Sequence, residues 1–415
     1  MKLFIPNIIF FLMLFICNDV IAQTELEKGW SYWTNGDIPE AQSVAEKKLN
    51  DSPADDEALH LKSLSLYIRG KYHQAIANFS LMCSDYTGYN KVAKAMVDAY
   101  IHLNEPQNAL KLARQLKMES VDYYQELADK PFVCRADKTF IVPFIDDPQL
   151  PSKFFPGVAG KINGKELNIR FDTGGTFLVI GREKAEELGI KLDNKSAGMH
   201  GSNRVKTWKS IADEMELGKG LVFRNVPVVI MESLGQCAIF GTNILEQFLS
   251  TMDYPNSRFI LTPRNRKDLY PEHLALLPNK RETLPFYMWG DHYMFAKGSF
   301  NNIDGLNFFF DSGLVALGMF DGQLKQAAFT ASKEKLIKWG FDQSQLDKAM
   351  FFPTQYSLGV KSLIQENTLV WYSENLKKDR NFGGVRIDGL VSHAFLSKYS
   401  WTIDFDKHEY IFSIY

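Results

Sequence analysis

Two short stretches of this chain carry residue types from which acid–base chemistry can be built. In each, an apolar run ends in an acid, a small hydroxyl residue and a glycine: Asp172-Thr173-Gly174 and Asp311-Ser312-Gly313. A carboxylate at the end of a buried strand is costly to desolvate unless hydrogen bonds support it, and a glycine lets backbone N–H groups approach it closely. Two such acids held together can serve as a general acid and a general base.

The surroundings of the two acids also repeat. Asp172 follows Gly160 by 12 residues, and Asp311 follows Gly298 by 13. A matched apolar segment then follows each acid, within residues 238–261 in the first case and 389–412 in the second. A single copy would be read as an ordinary turn, whereas a repeated order of parts predicts two similar halves that each present one acid.

This order of parts resembles the retropepsin and pepsin-like aspartic proteases over roughly residues 138–415. The resemblance implies two mainly β lobes related by a pseudo-twofold axis, with Asp172 and Asp311 as a catalytic dyad that activates a water molecule against a peptide bond. It also implies that five residues support the catalytic loops: Thr173, Gly174, Thr176, Ser312 and Gly313.

The same resemblance assigns roles within the loops. Thr173 and Ser312 would exchange hydrogen bonds between the lobes, and Thr176 would support the first acid. A glycine-containing hairpin after the first acid corresponds to the flap that closes over substrate. Its predicted substrate-binding residues are Gly198, His200, Gly201 and Trp208. The flap of the second lobe is expected within residues 352–370, around Gly359.

The chain departs from the family pattern at two positions of the second lobe. Val315 stands where a supporting hydroxyl is expected, and Ser392 replaces the glycine that corresponds to Gly241. Two functions therefore stay open: an active endopeptidase, which both acids favour, and a non-catalytic protein-binding module, which Val315 favours. Activity only as a homodimer of first lobes is less favoured, because a second acid loop is already present.

Residues 24–117 contain a second repeat. Three aligned segments place an alanine at a spacing of 34 residues, at Ala41, Ala75 and Ala109. This period resembles that of tetratricopeptide repeats, in which small residues let paired helices pack closely. We expect three helical hairpins that form either a concave surface for a protein partner or a packing scaffold. Both acid loops lie beyond residue 138, so the chemistry is expected to need no residue of the repeats.

Together these patterns predict an α+β multidomain protein. The predicted parts are a signal peptide (1–22), tetratricopeptide-like repeats (24–117), a connecting segment (118–137), the first lobe (138–262), an interlobe linker (263–283) and the second lobe (284–415).

The first residues resemble an export signal. Lys2 precedes an apolar run over residues 3–16, and small residues lead to a cleavage position after Ala22. The run is too short for a comfortable membrane span, so no transmembrane segment is expected in the mature chain. We therefore expect a periplasmic or extracellular protein. A lipid anchor at Cys17 is the less favoured alternative.

Composition and residue spacing argue against several other kinds of partner and cofactor. A formal net charge of −2 without a long basic run argues against a nucleic-acid partner. The exported chain would contain three cysteines, at Cys83, Cys134 and Cys237. These could form one disulfide or remain three thiols. His200 and His393 lack the spacing of metal ligands, so neither a metal nor a cofactor is expected. The expected partner in the β part is a peptide or protein substrate.

Overall fold

The computed structural model describes residues 24–146, 151, 153–200, 203–358, 363–372 and 380–415. The predicted signal peptide, including Cys17, lies outside the described residues, as do Gly201 and Gly359 from the two predicted flaps. Within the described residues, no helix is both long enough and apolar enough to cross a membrane.

The N-terminal part is helical. Its helices are α1 (Glu25–Asn35), α2 (Ile38–Asp51), α3 (Asp56–Ile68), α4 (Tyr72–Phe79), α5 (Tyr89–His102), α6 (Pro106–Gln115) and α7 (Val121–Asp129). Thr24 and Glu27 form a reciprocal capping box that starts α1. The first six helices form three consecutive pairs, as the repeat predicts, and Ala41, Ala75 and Ala109 are fully buried. Their assignment to the tetratricopeptide class stays a prediction.

The strands of the first half follow. They are β1 (Val133–Cys134), β2 (Phe140–Pro143), β3 (Gly157–Ile162), β4 (Lys165–Phe171), β5 (Leu178–Gly181), β6 (Lys195–His200), β7 (Asn203–Leu217), β8 (Leu221–Met231), β9 (Ala238–Phe240), β10 (Phe248–Asp253) and β11 (Arg258–Pro263). Short helices α8 (Arg182–Glu187), α9 (Thr242–Leu245) and α10 (Tyr270–Ala275) connect them or follow them. Six strands pair in the order β8-β5-β9-β4-β3-β7, and β7 pairs back with β8 to close the sheet.

The second half contains β12 (Arg281–Trp289), β13 (Tyr293–Phe300), β14 (Ile303–Asp311), β15 (Leu317–Phe320), β16 (Gln323–Gln326), β17 (Phe329–Thr330), β18 (Phe351–Leu358), β19 (Ile364–Trp371), β20 (Arg380–Phe382), β21 (Val385–Ile387), β22 (Gly389–Ser392), β23 (Ser400–Asp404) and β24 (Glu409–Ser413). Its helices are α11 (Lys333–Lys338), α12 (Gln343–Leu346) and α13 (His393–Leu396). The order β19-β17-β22-β14-β13-β18, closed by β18 and β19, repeats the pairings of the first half in the same parallel and antiparallel senses.

A six-stranded antiparallel sheet joins the halves in the order β2-β11-β10-β23-β24-β12. In β12, Leu284, Phe286 and Met288 are buried while intervening residues are more exposed, which is the period of two expected of a strand. The predicted linker is ordered and contains α10. Its buried His273 hydrogen-bonds to Thr251 and so fastens the linker to β10.

The helical part packs closely against the strands. Gly36 and Gly70 each end the first helix of a pair with a left-handed backbone, at φ of 75° and 68°. A Cβ atom would lie 2.4 Å from Asn307 Oδ1 at Gly36 and 1.8 Å from His408 Nε2 at Gly70. Glycine is therefore required at both turns by backbone conformation and by contact. The repeated turns thus dock on the β part, which favours the scaffold interpretation.

A buried polar cluster at the end of α5 connects all three parts. His102 Nδ1 lies 2.8 Å from Glu246 in the first half, and His102 Nε2 lies 2.9 Å from the Gly290 carbonyl in the second. The Tyr72 ring stacks on His102 with a centroid distance of 4.7 Å. Burial disfavours a charged His102, but Glu246 and Gly290 outweigh it and raise the pKa of His102 to about 9.

Candidate active site

Each acid stands where a strand ends beside a parallel neighbour. Asp172 directly follows β4, and its N–H donates to the Phe240 carbonyl at the end of β9. Asp311 is the last residue of β14, in register with Ser392 of β22. The apolar residues of these strands pack inward, so the chain emerges from the core at the acid. Parallel pairing therefore explains why the acid recurs at the same place in both halves.

The structure brings the two carboxyl groups together. Their side chains hydrogen-bond to each other. The Gly313 N–H lies 2.9 Å from Asp172 Oδ1 and 3.2 Å from Asp311 Oδ1, so one backbone donor faces both acids. The Gly174 N–H donates to Asp172 Oδ1 at 2.6 Å. A Cβ atom on Gly313 would lie 2.1 Å from the carboxyl carbon of Asp172, so this close approach needs glycine.

The surroundings assign different protonation states to the pair. Burial raises the pKa of Asp172, while hydrogen bonds from Gly174, Asp311 and Gly313 oppose the rise. Burial and the neighbouring charge of Asp172 raise the pKa of Asp311 well above its usual range. Because two adjacent carboxyls share one charge more easily than they carry two, Asp172 is the ionised member and Asp311 the protonated member.

The hydroxyl residues next to the acids link the two loops. The Thr173 N–H donates to Ser312 Oγ at 2.9 Å, and the Ser312 N–H donates to Thr173 Oγ1 at 3.0 Å. The Thr173 hydroxyl also donates to the Phe310 carbonyl at 2.8 Å. Both side chains are fully buried. This reciprocal exchange, which the family resemblance predicts, holds the acids in one geometry.

Thr176 has a different role from the one expected. Its hydroxyl lies 2.9 Å from the side-chain amide of Asn243 and also hydrogen-bonds to Asp291, so the expected support of Asp172 is corrected. The amide oxygen Oδ1 faces this hydroxyl, and Asn243 Nδ2 has no hydrogen-bond partner among the described residues. With the amide turned to place Nδ2 against Thr176 Oγ1, Asn243 donates to the hydroxyl and the hydroxyl donates to Asp291. Thr176 therefore ties the first loop to the β12–β13 turn.

Asp311 and the loop that follows Asp172, at Gly174 and Gly175, line a cleft of about 820 Å³ between the halves. The cleft is lined by β6 and β7, which form the predicted flap, by the β12–β13 turn and by β20. Four residues of the second half that sequence reasoning missed lie here: Asp291, His292, Tyr293 and Arg380. The only sequence signal for the first three is a glycine-containing turn, which is common to hairpins of every function.

These missed residues place charge beside the acids. Arg380 lowers the pKa of Asp311, and His292 lowers that of Asp172, although burial outweighs both effects. His292 Nδ1 lies 2.6 Å from Asp291. Burial opposes ionisation of Asp291, but His292, Thr176 and His102 together hold its pKa below the usual range. The turn therefore presents a fixed carboxylate to the cleft.

The predicted flap residues separate into two groups. Gly198 lines the cleft together with Thr207 and Lys209. Side chains alternate along a strand, so Trp208 lies on the opposite face of β7, where Arg182 stacks on its ring at 5.6 Å. The expected substrate contact of Trp208 is thereby corrected.

His200 is the other predicted flap residue that does not line the described part of the cleft. Its Nδ1 pairs with Ser233 Oγ at 2.9 Å in an exposed position at the end of β6. A hairpin of β6 and β7 lies where the flap is predicted, and strand phase and a local hydrogen bond determine which of its side chains face the cleft.

The structure explains both departures from the family pattern. Val315 packs with Phe155, Val179 and Ile239 in a small apolar cluster. Ser392 caps α13 by accepting the Ala394 N–H. Its hydroxyl donates to a neighbouring backbone carbonyl at 2.5 Å. Neither substitution removes a hydrogen bond that the carboxyl pair receives from Gly174 or Gly313.

Comparison with known proteins concerns mainly the first half. The aspartyl protease family matches residues 158–244, a stretch that includes Asp172 and ends before Asp311. A comparison with curated proteins finds no match. The chain is also similar to a solved retropepsin-like aspartic protease from Rickettsia conorii, at 17% identity over 32% of this chain and 92% of that chain. The TM-score of this comparison is 0.22. The family match shows that this stretch of the first half is similar to aspartyl proteases.

No group of three or more His, Cys, Asp or Glu side chains in the described part of the chain is placed to hold a metal ion. Cys83, Cys134 and Cys237 are free, so the disulfide left open by the sequence is not formed in this structure.

Proposed function

We propose that this protein is an aspartic endopeptidase that hydrolyses peptide bonds with Asp172 and Asp311 as a single dyad. The observation that carries the proposal is the pair of carboxyl groups, hydrogen-bonded to each other and both facing the Gly313 N–H at the base of the cleft. The family match over residues 158–244 supports the same class.

The protonation states define a mechanism. Asp172, ionised, takes a proton from a water molecule as that water attacks the peptide carbonyl carbon. Asp311, protonated, donates a hydrogen bond to the carbonyl oxygen as negative charge develops there. Asp172 then delivers this proton to the leaving nitrogen, and the C–N bond breaks as the carbonyl re-forms. Asp172 is thereby ionised again and Asp311 still holds its proton, so the pair has returned to its starting state.

Two lobes related by a pseudo-twofold axis form part of this proposal. Its support is the repeated strand order around β4 and β14 and the reciprocal bonds between Thr173 and Ser312. Such an axis places equivalent loops face to face, which lets one short motif supply both members of the dyad.

Peptide-library cleavage across the acidic and neutral pH range tests the function. The wild-type protein is expected to cut peptides, and Asp172→Asn and Asp311→Asn are expected to abolish cutting. Asp304→Asn, at an exposed position early in β14, is the matched control and is expected to cut normally. Peptide binding without cleavage by the wild-type protein would instead favour the protein-binding alternative.

We also propose export to the periplasm or the cell exterior, on the strength of the apolar start and the small residues before Gln23. Mass spectrometry of the protein recovered from its native cells should find a chain that begins near Gln23. An intact Met1 terminus would contradict export by cleavage, and a lipid-modified Cys17 would indicate the anchored form.

A further inference from the structure

A second cavity opens beside the cleft, where the helices meet the first half of the β part. Its volume is about 90 Å³, and Thr176, Lys209 and Asp291 are among the residues that line both spaces. A single water molecule needs only roughly 10–15 Å³ of such space, so the cavity can accept an extended side chain. Residues of α5 and α7 form its far wall. A peptide in the cleft could therefore place a side chain against the helical part.

Asp98 of α5 lines this cavity without a partner. Asp98 is partly buried, and no hydrogen bond or ion pair joins its carboxyl group to any of the described residues. A carboxylate that lines a cavity and has no protein partner can accept hydrogen bonds from a cation that enters the cavity. Asp291 lines the same cavity from the β12–β13 turn, so two carboxyls face one space.

The remaining walls suit a long cationic side chain. Tyr123, Tyr124 and Leu127 from α7 provide an aromatic and apolar surface. Lysine and arginine bury apolar stems while their charged ends seek polar partners. The Lys209 ammonium already lies 5.0 Å from the centre of the Tyr123 ring, which shows that this wall accommodates a cation.

Other charges in the cavity are already engaged. His102 is paired with Glu246, and Lys209 stacks on Tyr123. Burial, followed by the charge of Asp291, raises the pKa of Asp98 to about 7, and His102 and Lys209 only partly oppose the rise. An added cation would relieve this unfavourable interaction between the two carboxyls, whereas an anion would increase it.

We propose that this cavity, termed the helical subsite and defined by Asp98, Tyr123, Tyr124 and Asp291, binds the side chain of a lysine or arginine in a peptide substrate. The proposal rests on the proposed function, because it requires a peptide in the neighbouring cleft. It assigns to the helical part a role in substrate selection, which the position of the acid loops alone did not suggest.

Direct binding tests the helical subsite apart from catalysis. In the Asp172→Asn background, Kd is measured for peptide pairs that differ only in lysine or norleucine at each position in turn. One position is expected to favour lysine. Asp98→Asn added to this background should reduce the preference for lysine about tenfold, because the lysine ammonium then loses its interaction with the Asp98 carboxylate. The control Asp85→Asn, at an exposed position of the helical part, should leave the preference unchanged.

The pH dependence provides a second measurement that needs no variant of Asp98. The groups that face Asp98 are Asp291, His102 and Lys209, and the phenols of Tyr67, Tyr72 and Tyr124. Asp98 is the member of this set with a pKa near 7. The lysine preference should therefore rise about tenfold from roughly pH 6 to roughly pH 8, as Asp98 ionises.

Several outcomes would overturn the subsite. These are equal Kd values for lysine and norleucine peptides at every position, or a lysine preference unaffected by both Asp98→Asn and pH. Cleavage of peptides by the wild-type protein without any such preference would remove the helical subsite and leave the proposed function intact. Failure of the protein both to bind and to cleave peptides would remove both proposals. Thermal unfolding of each variant shows whether it is folded.

Discussion

At the scale of single residues, the two acids differ although their local sequences match. The N–H groups of Gly174 and Gly313 both reach Asp172, whereas Asp311 receives only the longer of the two Gly313 contacts. Asp311 therefore keeps its proton more readily. Burial and the charge of Asp172 act in the same direction and raise the pKa of Asp311.

If the acids act as one unit, their removal should be strongly non-additive. We expect Asp172→Asn, Asp311→Asn and the double variant each to reduce kcat/KM by at least about a thousandfold, with the double variant no worse than either single one. The wild-type pH profile should be bell-shaped, with limits that belong to the pair. Single-variant losses that multiply in the double variant would indicate independent acids.

At the scale of secondary-structure elements, the position before the short helix is a glycine in the first half and a serine in the second. In the first half, a Cβ atom on Gly241 would lie 2.1 Å from the Gly175 carbonyl oxygen. In the second half, Ser392 occupies the corresponding place and caps α13. The spacing between loop and short helix therefore differs between the halves, although the strand order is the same.

Reciprocal substitutions test this difference. Gly241→Ser should destabilise the fold by about 1–3 kcal/mol or more, because it forces the 175–176 backbone away from α9. Ser392→Gly should cost about 1 kcal/mol or less, since glycine is a tolerated helix cap and only one hydroxyl is lost. Chemical denaturation measures both values. Equal costs would show that the two loops have the same close approach.

At the scale of the whole molecule, the helical part is integral to the β part. A single hydrophobic core runs through both, and the turns at Gly36 and Gly70 press against the strands. His102 of α5 bonds at once to Glu246 and to Gly290, next to the cleft residue Asp291. The helices therefore hold the two halves of the cleft in a fixed relation.

The His102–Glu246 pair should make stability depend on pH. Because folding raises the pKa of His102 from about 6.5 to about 9, its contribution is complete below about pH 6.5. It is then lost as the pH rises through about 9. His102→Gln should cost roughly 3–5 kcal/mol near neutral pH, since it leaves a buried charge unpaired. Denaturation at several pH values checks this, with exposed His73→Gln as the control. An unchanged alkaline slope in His102→Gln would exclude this pair as its source.

A chain that begins near residue 130 is expected not to fold stably, although both acid loops lie in the part that it retains. Its core would be exposed where Trp33 and Tyr67 now pack against Trp289, and Glu246 would lose its cation. Circular dichroism and thermal unfolding of this fragment give the answer. A cooperative transition near that of the full chain would show that the helices are dispensable for the fold.

The sequence by itself determined the elements that repeat. Acid, hydroxyl and glycine recur after matched strands because a carboxylate leaving a core needs nearby N–H donors. The helical pairs recur every 34 residues because close packing requires a small residue at the contact. These are local requirements, so they are visible in residue types and spacing.

Only the tertiary structure decided which distant residues complete the site. Thr176 turns to Asp291, and Trp208 turns away from the cleft, because strand phase and a hairpin from the other half determine the partners of each. Asp98 reaches the cleft region through helix packing. Such contacts join residues far apart in the chain through surfaces whose fit depends on the whole fold, and no local pattern records them.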